Sequence, residues 1–211
     1  MPRVILASKS PARLATLRAA GVSPLVIDAA VDESGVEGTT QQAVLALARR
    51  KGEAALELVN SELALRPLGS EPTVLIAADT LFDLRGRTLG KPGSDEVARQ
   101  RLAELNGAEG KLYTGHYVAV LRADAPVVTD LRAAVTVVRF ARMDDAEMDA
   151  YAASGEPAQV AGSFTIDGLG GPFIEGVEGD PHNVVGLCLP LLRLMLRGLG
   201  VPWTSLWTTG R

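Results

Sequence analysis

The residues best suited to chemistry lie in one segment, LIAADTLFDLRGRTLGKP, which runs from Leu75 to Pro92. An apolar run leads into Asp79, a turn signal follows at Gly86, and a second short strand ends at Lys91. This pattern predicts a β-hairpin that holds the Asp79 carboxylate and the Lys91 ammonium close together. An aspartate that ends an apolar strand needs an explanation, because charged side chains are seldom buried without a partner. The pair indicates metal-assisted chemistry on a phosphate; the alternative for Asp79 is a hydrogen-bonded strand end.

A second candidate site lies where a short strand meets a helix, in the sequence Ser8-Lys9-Ser10-Pro11-Ala12-Arg13. A helix N-terminus offers unpaired N–H groups and a partial positive charge, both of which attract phosphate. Ser8 and Ser10 add hydroxyl groups, and Arg13 adds a forked cation that matches phosphate oxygens. The alternative is a capped helix with a solvated arginine, since Ser-Pro helix starts are common.

Carboxylates near these groups suggest a divalent cation. Asp32 and Glu33 follow a short apolar stretch, and Asp79 ends another. Magnesium at nucleotide sites takes one or two carboxylates together with substrate phosphates. Asp32, Glu33 and Asp79 are therefore candidate ligands for such a cation, and one of these carboxylates could also orient or deprotonate a water molecule. The alternative for Asp32 and Glu33 is a solvated turn.

Other reactive residue types carry weaker signals. Lys51 lies in a long helical pattern, where lysine is usually solvated. His116 and His182 lack the spacing of metal ligands on a helix, which favours surface or loop roles. Cys188 lies in an apolar sequence and is expected to be a small core residue.

The elements that must position these groups alternate irregularly between strands and helices. Strands are predicted at Val4–Ala7, Leu25–Ile27, Val74–Ala78, Tyr117–Leu121 and Val135–Phe140. Helices are predicted after the caps Ser10, Thr39 or Thr40, Ser94 and Asp144, and over about Val185–Arg197. The pattern favours an α/β fold with a mixed sheet.

Composition excludes several classes of function. The chain has 211 residues, 47% hydrophobic and 22% charged, which is ordinary for a globular protein. A net charge of −4 and an aromatic content of 4% argue against nucleic-acid binding. No segment is long and apolar enough to span a membrane or to act as a signal peptide, so a cytoplasmic protein is expected. Neither a P-loop motif nor a dinucleotide-binding fingerprint is present.

Taken in order, the motifs resemble those of the Maf proteins, which are nucleoside triphosphate pyrophosphatases related in fold to the inosine triphosphate pyrophosphatases. ILASKSPAR resembles the family's opening motif, VDE its acidic motif and LARRKGEAA its basic helix. AADTLFDLRGRTLGKP is similar to its central signature. AGSFTIDGLGGPFIEGVEGDPHNVVGLCLPLL resembles its C-terminal block. The resemblance covers nearly the whole chain, 1–211, as a single domain.

The resemblance implies a fold, an activity and a set of roles. The fold would be an elongated mixed sheet flanked by helices, with two lobes around a central cleft, and the protein would form homodimers. The activity would be hydrolysis of a nucleoside triphosphate to the monophosphate and pyrophosphate with a divalent cation, as a house-cleaning function. Asp79 would activate water, and the substrate would be held by Ser8, Ser10, Arg13, Lys51, Lys91 and Glu33. The resemblance also implies that Glu33 and Asp79 would hold the cation, Mg²⁺ or Mn²⁺.

The departures of this chain from the family pattern concern which nucleobase is preferred. The branch that prefers dTTP and UTP usually has arginine where this chain has Ala12, and Lys and Gln where it has Val160 and Asp167. Thr80 fits that branch, whereas 161–164 resembles the branch that accepts 7-methyl-GTP. Asp167 is the candidate base-reading residue, and its alternative is a turn aspartate before Gly168. The substrate is expected to be dTTP, UTP or a modified nucleotide, and a pyrophosphatase that prefers 7-methyl-GTP is an alternative. A nucleotide-binding regulator of septum formation with little turnover is the competing interpretation.

Overall fold

A computed structural model describes residues 1–62 and 71–208, and across these residues the strands form one seven-stranded mixed sheet. The strands are β1 (Arg3–Ala7), β2 (Leu25–Ile27), β3 (Thr73–Leu84), β4 (Arg87–Leu89), β5 (Glu109–Arg122), β6 (Ala125–Phe140) and β7 (Ile174–Glu178). The helices are α1 (Pro11–Ala19), α2 (Thr40–Ser61), α3 (Asp95–Leu105), α4 (Asp145–Ala153), α5 (Pro181–Val185) and α6 (Leu189–Gly198). The predicted α/β class is confirmed.

The sheet combines a parallel part and an antiparallel part. Its order is β2-β1-β3-β5-β6-β7, and β4 pairs with β3 outside this path. β1 runs parallel to both β2 and β3, and the helices α1 and α2 lie in the connections that parallel pairing requires. All other pairs are antiparallel.

Apolar side chains cover both faces of the parallel part. On one face Leu17 of α1 and Leu192 of α6 pack against residues such as Ile76 of β3. On the opposite face Ala55 and Val59 of α2 pack over β1, β3 and β5. The two faces alternate along β3 because successive side chains of a strand point to opposite sides.

A separate cluster fills the far end of the sheet, beyond the parallel part. Phe82, Phe140 and Phe164 make edge-to-face contacts with ring centroids 4.8–5.9 Å apart. Residues of α3 and α4, among them Leu102 and Met148, pack in a further cluster nearby. Among the described residues, no helix is long and apolar enough to cross a membrane.

The predicted helix starts are confirmed, while several boundaries differ. Ser10, Thr39, Ser94 and Asp144 each accept a hydrogen bond from the first turn of the helix that they precede. β5 and β6 extend well beyond the predicted segments, because they pair with each other along most of their length. The helix predicted over Val185–Arg197 is wrong, since Gly186 with φ 114° ends α5 and a new helix begins at Leu189.

Candidate active site

The site begins with a gap in the pairing of β3. β1 ends at Ala7, opposite Ala77, and β4 starts to pair on the same side of β3 only at Phe82. The edge of β3 over 78–81 therefore has no strand partner on that side, and Asp79 lies within this free edge. A cavity of about 950 Å³ opens there. The position follows the rule that ligands bind at the carboxyl ends of parallel strands, where the chain leaves the sheet.

Helix α2 lies close above this part of the sheet because two contact positions are glycines. Gly115 is the cross-strand partner of Asp79, and a Cβ at this position would lie 2.5 Å from the carbonyl oxygen of Val44 in α2. A Cβ at Gly52 would lie 2.1 Å from the ring of Tyr117. Since neither side chain is present, α2 approaches near enough to place Lys51 over Asp79.

The Lys51 ammonium joins the two acidic segments. It donates to Oδ1 of Asp79 and lies 2.7 Å from Oε1 of Glu33. The side chains of Lys51 and Asp79 are only 17% and 11% exposed, whereas Glu33 is 58% exposed. The Lys51–Asp79 pair is therefore shielded from water, and its attraction is stronger than that of a surface pair.

The structure corrects the predicted place of Asp79 in the hairpin and shows which ammonium contacts its carboxylate. β3 continues to Leu84, so Asp79 lies in the middle of a twelve-residue strand and not at its end. The ammonium that contacts Asp79 belongs to Lys51, whereas no carboxylate of the described residues lies within 4.0 Å of Lys91. Lys91 is exposed and lines the same cavity, and it therefore stays available to a ligand.

Arg13 is fixed in position by three hydrogen bonds. Its guanidinium donates to the carbonyl of Gly186 (3.0 Å), to Oγ of Ser8 (3.1 Å) and to Oγ1 of Thr80 (2.9 Å). A guanidinium has five N–H donors, so two remain for a ligand in the cavity. Burial lowers the pKa of Arg13, and the nearby carboxylates of Asp79 and Glu33 oppose that shift. The group stays charged at neutral pH.

Ser8 and Ser10 line the cavity, but their oxygens already take part in local structure. Ser10 Oγ caps α1 by accepting from the Arg13 N–H, and Ser8 Oγ accepts from the Ser10 N–H and from Arg13. Neither hydroxyl donates to a group among the described residues, so each can still donate its proton to a ligand. The role of these hydroxyls in binding substrate stays a prediction.

Arg50 positions Glu33, a role that its sequence position does not indicate. It donates to the carbonyl oxygens of Asp32 (3.1 Å) and Ser34 (2.8 Å), and thereby holds the acidic loop against α2. Lys51, the next residue, then reaches Glu33. A basic residue on a helix is ordinarily solvated, and the sequence carries no signal for this contact.

His116 corrects a prediction, because it is fully buried in β5 and is not a surface or loop residue. Its Nε2 accepts from the backbone N–H of Cys188, and it pairs across strands with Ala78. Burial, and to a smaller extent the charge of Arg13, lowers the pKa of His116 to about 4. His182, as predicted, is at the surface, and Cys188 is buried.

The remaining predicted residues also line the cavity. Thr80 shares its hydroxyl with Arg13 and Thr114, so it supports the guanidinium. Ala12 lies in the first turn of α1 and also lines the cavity. Asp167 is exposed and lines the same cavity, in a wall made by 159–161 and 164–167. This wall carries one charged side chain, Asp167.

Two carboxylates of the site fit a divalent cation that takes its other ligands from a substrate. Oxygens of Glu33 and Asp79 both converge on one cationic group, the ammonium of Lys51. Among the described residues no group of three or more His, Cys, Asp or Glu side chains could hold a metal by itself. Such a pair suits a magnesium ion whose remaining ligands are substrate phosphates and water.

Comparison with known proteins gives consistent results along the chain. A family model described as Maf-like protein matches residues 3–199. A nucleoside triphosphate pyrophosphatase of Cutibacterium acnes is 48% identical over 96% of this chain and 93% of its own length. Proteins of the same name from Mycobacterium sp. (strain JLS) and Saccharopolyspora erythraea are 42% and 43% identical, with 97–98% of each chain covered.

Among solved structures, a nucleoside-triphosphatase described as a dITP/XTP pyrophosphatase from Mycobacterium abscessus aligns over 94% of this chain and 96% of its own. The identity is 14% and the TM-score is 0.34, a similarity too low to support an argument.

Proposed function

The chain belongs to the Maf-like protein family, and on that basis we propose that it hydrolyses nucleoside triphosphates to the monophosphate and pyrophosphate. Near-full-length relatives at 40–48% identity are named for this activity. The observation in the structure that carries the proposal is the convergence of Asp79, Lys51 and Arg13 on one cavity beside the free edge of β3.

The triphosphate would be held by the cations of this cavity. Arg13 offers two free N–H groups in a fixed direction, and Lys91 offers an ammonium that no carboxylate of the described residues contacts. Lys51 would divide its contacts between the carboxylates and a phosphate oxygen. Preorganised cations of this kind favour the charge that develops when a phosphoanhydride breaks.

Asp79 is the proposed general base. A water molecule attacks the α-phosphorus, its proton passes to the Asp79 carboxylate, and the bond between the α-phosphorus and the bridging oxygen breaks. Pyrophosphate leaves with that bridging oxygen and the electron pair of the bond, and the monophosphate gains the water oxygen. Lys51 fixes the direction of the carboxylate, because a buried ion pair has little rotational freedom.

We propose that Glu33 and Asp79 also hold a divalent cation, Mg²⁺ or Mn²⁺. When bound, such a cation would neutralise phosphate charge and raise the acidity of water. The fit rests on the two converging carboxylates and on the open access of Glu33. The cytoplasmic location and the homodimer stay predictions.

The base would lie against the wall that contains Asp167, because the phosphates would take the cationic groups of the same cavity. A carboxylate accepts hydrogen bonds from ring N–H and exocyclic amino groups. We propose dTTP, UTP or a modified nucleotide as the substrate, in a house-cleaning role, and 7-methyl-GTP is the competing choice.

Product analysis tests the proposed activity. A panel of canonical and modified triphosphates is incubated with the protein and Mg²⁺ or Mn²⁺, and the products are identified by ³¹P NMR. We expect pyrophosphate and a nucleoside monophosphate as the first products. Orthophosphate and a diphosphate as the first products, or no turnover of any triphosphate, would refute the proposal.

A further inference from the structure

The Glu156 carboxylate lies outside the cavity but is the centre of a hydrogen-bond cluster next to it. Its Oε1 accepts from the hydroxyls of Tyr151 (3.0 Å) and Thr165 (2.6 Å) and from the N–H of Gly170 (3.1 Å). Its Oε2 accepts from the N–H of Leu169 (3.0 Å). Four donors on one carboxylate are far more than a solvated surface glutamate has.

These hydrogen bonds hold the segment 165–170 in place. Residues 165–170 belong to no helix or strand, and the Glu156 cluster reaches the segment at its start and its end. Tyr151 adds a further tie, because its hydroxyl also accepts from the N–H of Thr165. Tyr151 itself is buried against Met148 and Phe173, so the cluster is anchored to the core around α4.

Two glycines allow the segment to close around the carboxylate. A Cβ at Gly168 would lie 2.4 Å from Oε2 of Glu156, and a Cβ at Gly170 would lie 2.4 Å from the Tyr151 hydroxyl. Any larger residue at either position would displace the polar groups. The GLG sequence at 168–170 is therefore explained by the Glu156 cluster and not by a phosphate-binding loop.

The same segment supplies the part of the cavity wall that contains Asp167. Thr165, Ile166 and Asp167 line the cavity, and Glu156 bonds directly to the first of them and to the backbone just after the last. The cations that suit a triphosphate, Arg13, Lys51 and Lys91, line the same cavity. A change in the Glu156 cluster would therefore move the wall that faces the base without touching Arg13, Lys51 or Asp79.

From these contacts we infer that Glu156 is a positioning residue for base selection: it sets the place of Ile166 and Asp167 and thereby decides which nucleobase fits. The inference rests on the proposed function, because it assumes that the substrate is a nucleotide with its phosphates at the cationic side. Glu156 touches neither the substrate nor the reacting atoms, and it acts through the 165–170 segment.

The test is the Glu156→Gln variant, with Glu104→Gln as the matched control at an exposed ion pair with Arg87. An amide keeps the shape but loses an acceptor oxygen and the charge. We expect KM for the preferred triphosphate to rise, so that kcat/KM falls on the order of tenfold or more, as for loss of a hydrogen bond to a charged group. The ratio of kcat/KM between the preferred and the next triphosphate should fall towards one, and the control should keep both values.

Product inhibition separates positioning from general damage. Pyrophosphate should inhibit Glu156→Gln as strongly as it inhibits the unmodified protein, because it needs only the cationic side. The nucleoside monophosphate should inhibit more weakly. Unchanged base preference, or equal weakening of both inhibitors, would overturn the inference.

A milder variant covers the case in which Glu156→Gln does not fold. Thr165→Val removes one donor and keeps the shape of the side chain, and we expect a smaller shift of base preference in the same direction. An unaltered preference in a folded Thr165→Val would overturn the inference in that case. Failure of the proposed function looks different, because the unmodified protein would then release no pyrophosphate from any triphosphate.

Discussion

Lys51 contacts the carboxylate of Asp79 although the two residues lie 28 positions apart, one on a helix and the other in the middle of a strand. The contact depends on Gly115, whose missing side chain lets α2 lie against the sheet beside Asp79. Glu33 joins the same ammonium from a loop that Arg50 holds. The site is thus an ion-pair cluster assembled from three separate parts of the chain.

Replacing Lys51 with methionine tests the role of the shared cation. Asp79 would be left shielded from water without a partner, and loss of one member of a buried pair typically costs about 3 kcal/mol or more. We expect a lower free energy of unfolding in urea and weaker nucleotide binding. Lys111→Met, at an exposed lysine of β5, is the control and should change neither. Equal stability of the Lys51→Met and unmodified proteins would contradict the contact.

Arg13→Lys tests whether the fork geometry of the guanidinium matters. A lysine cannot donate to Gly186, Ser8 and Thr80 and still present two parallel donors to a phosphate. We expect the KM for the triphosphate to rise about tenfold, the equivalent of one charge-assisted hydrogen bond. Arg18→Lys, at an exposed position of the same helix, should behave as the unmodified protein. A KM unaffected by Arg13→Lys would argue that the fork does not hold phosphate.

The buried His116 predicts a pH dependence of stability. The folded-state pKa is about 4, below the ordinary value of 6.5, so the unfolded chain binds a proton over this range while the folded chain does not. The contribution of the neutral His116 to the free energy of unfolding is therefore fully present above about pH 6.5. It is lost as the pH falls towards 4, and the loss is at most about 3 kcal/mol.

His116→Gln removes the titration and keeps an acceptor for the Cys188 N–H. The free energy of unfolding, measured in urea between pH 4 and 7, should vary less in this variant than in the unmodified protein. His182→Asn, at the exposed histidine, is the control. The same slope in the unmodified and His116→Gln proteins would mean that His116 does not titrate in this way.

The single cysteine predicts a simple reactivity pattern. Cys188 is buried, and burial raises the pKa of its thiol to about 11, so little thiolate is present at neutral pH. We expect no fast reaction with a disulfide reagent in the native protein and one equivalent per chain in guanidinium chloride. Rapid reaction of the native protein would show that the 186–188 segment opens readily.

Local features of the fold were predictable from sequence, because each depends on neighbouring residues. The cap at Ser10 with Pro11 after it, and the capping box of Asp144 and Glu147, identify helix starts directly. The β3–β4 hairpin likewise follows from the turn at Gly86, whose φ is 83°.

The contacts within the site depend on long-range packing, which no local pattern records. From its place in a helical pattern, Lys51 would be expected to be solvated. It becomes a site residue only because α2 approaches Gly115. His116 lies in a strand that pairs on both sides, so its burial follows from sheet assembly. Glu156 acquires its role from donors up to fourteen positions away.

The most direct test of Asp79 as general base is pyrophosphate release by Asp79→Asn, measured beside nucleotide affinity in the same preparation, with Asp130→Asn, at the ion pair with Arg132, as control. An amide cannot take the proton of the attacking water, and a general base contributes on the order of 10²–10⁴ in rate. We predict that Asp79→Asn binds the triphosphate but releases pyrophosphate at least about a hundredfold more slowly, while the control keeps its rate. Pyrophosphate release by Asp79→Asn at the unmodified rate would contradict the role of Asp79 as general base. A cellular phenotype that survived the loss of turnover would favour a nucleotide-binding regulator.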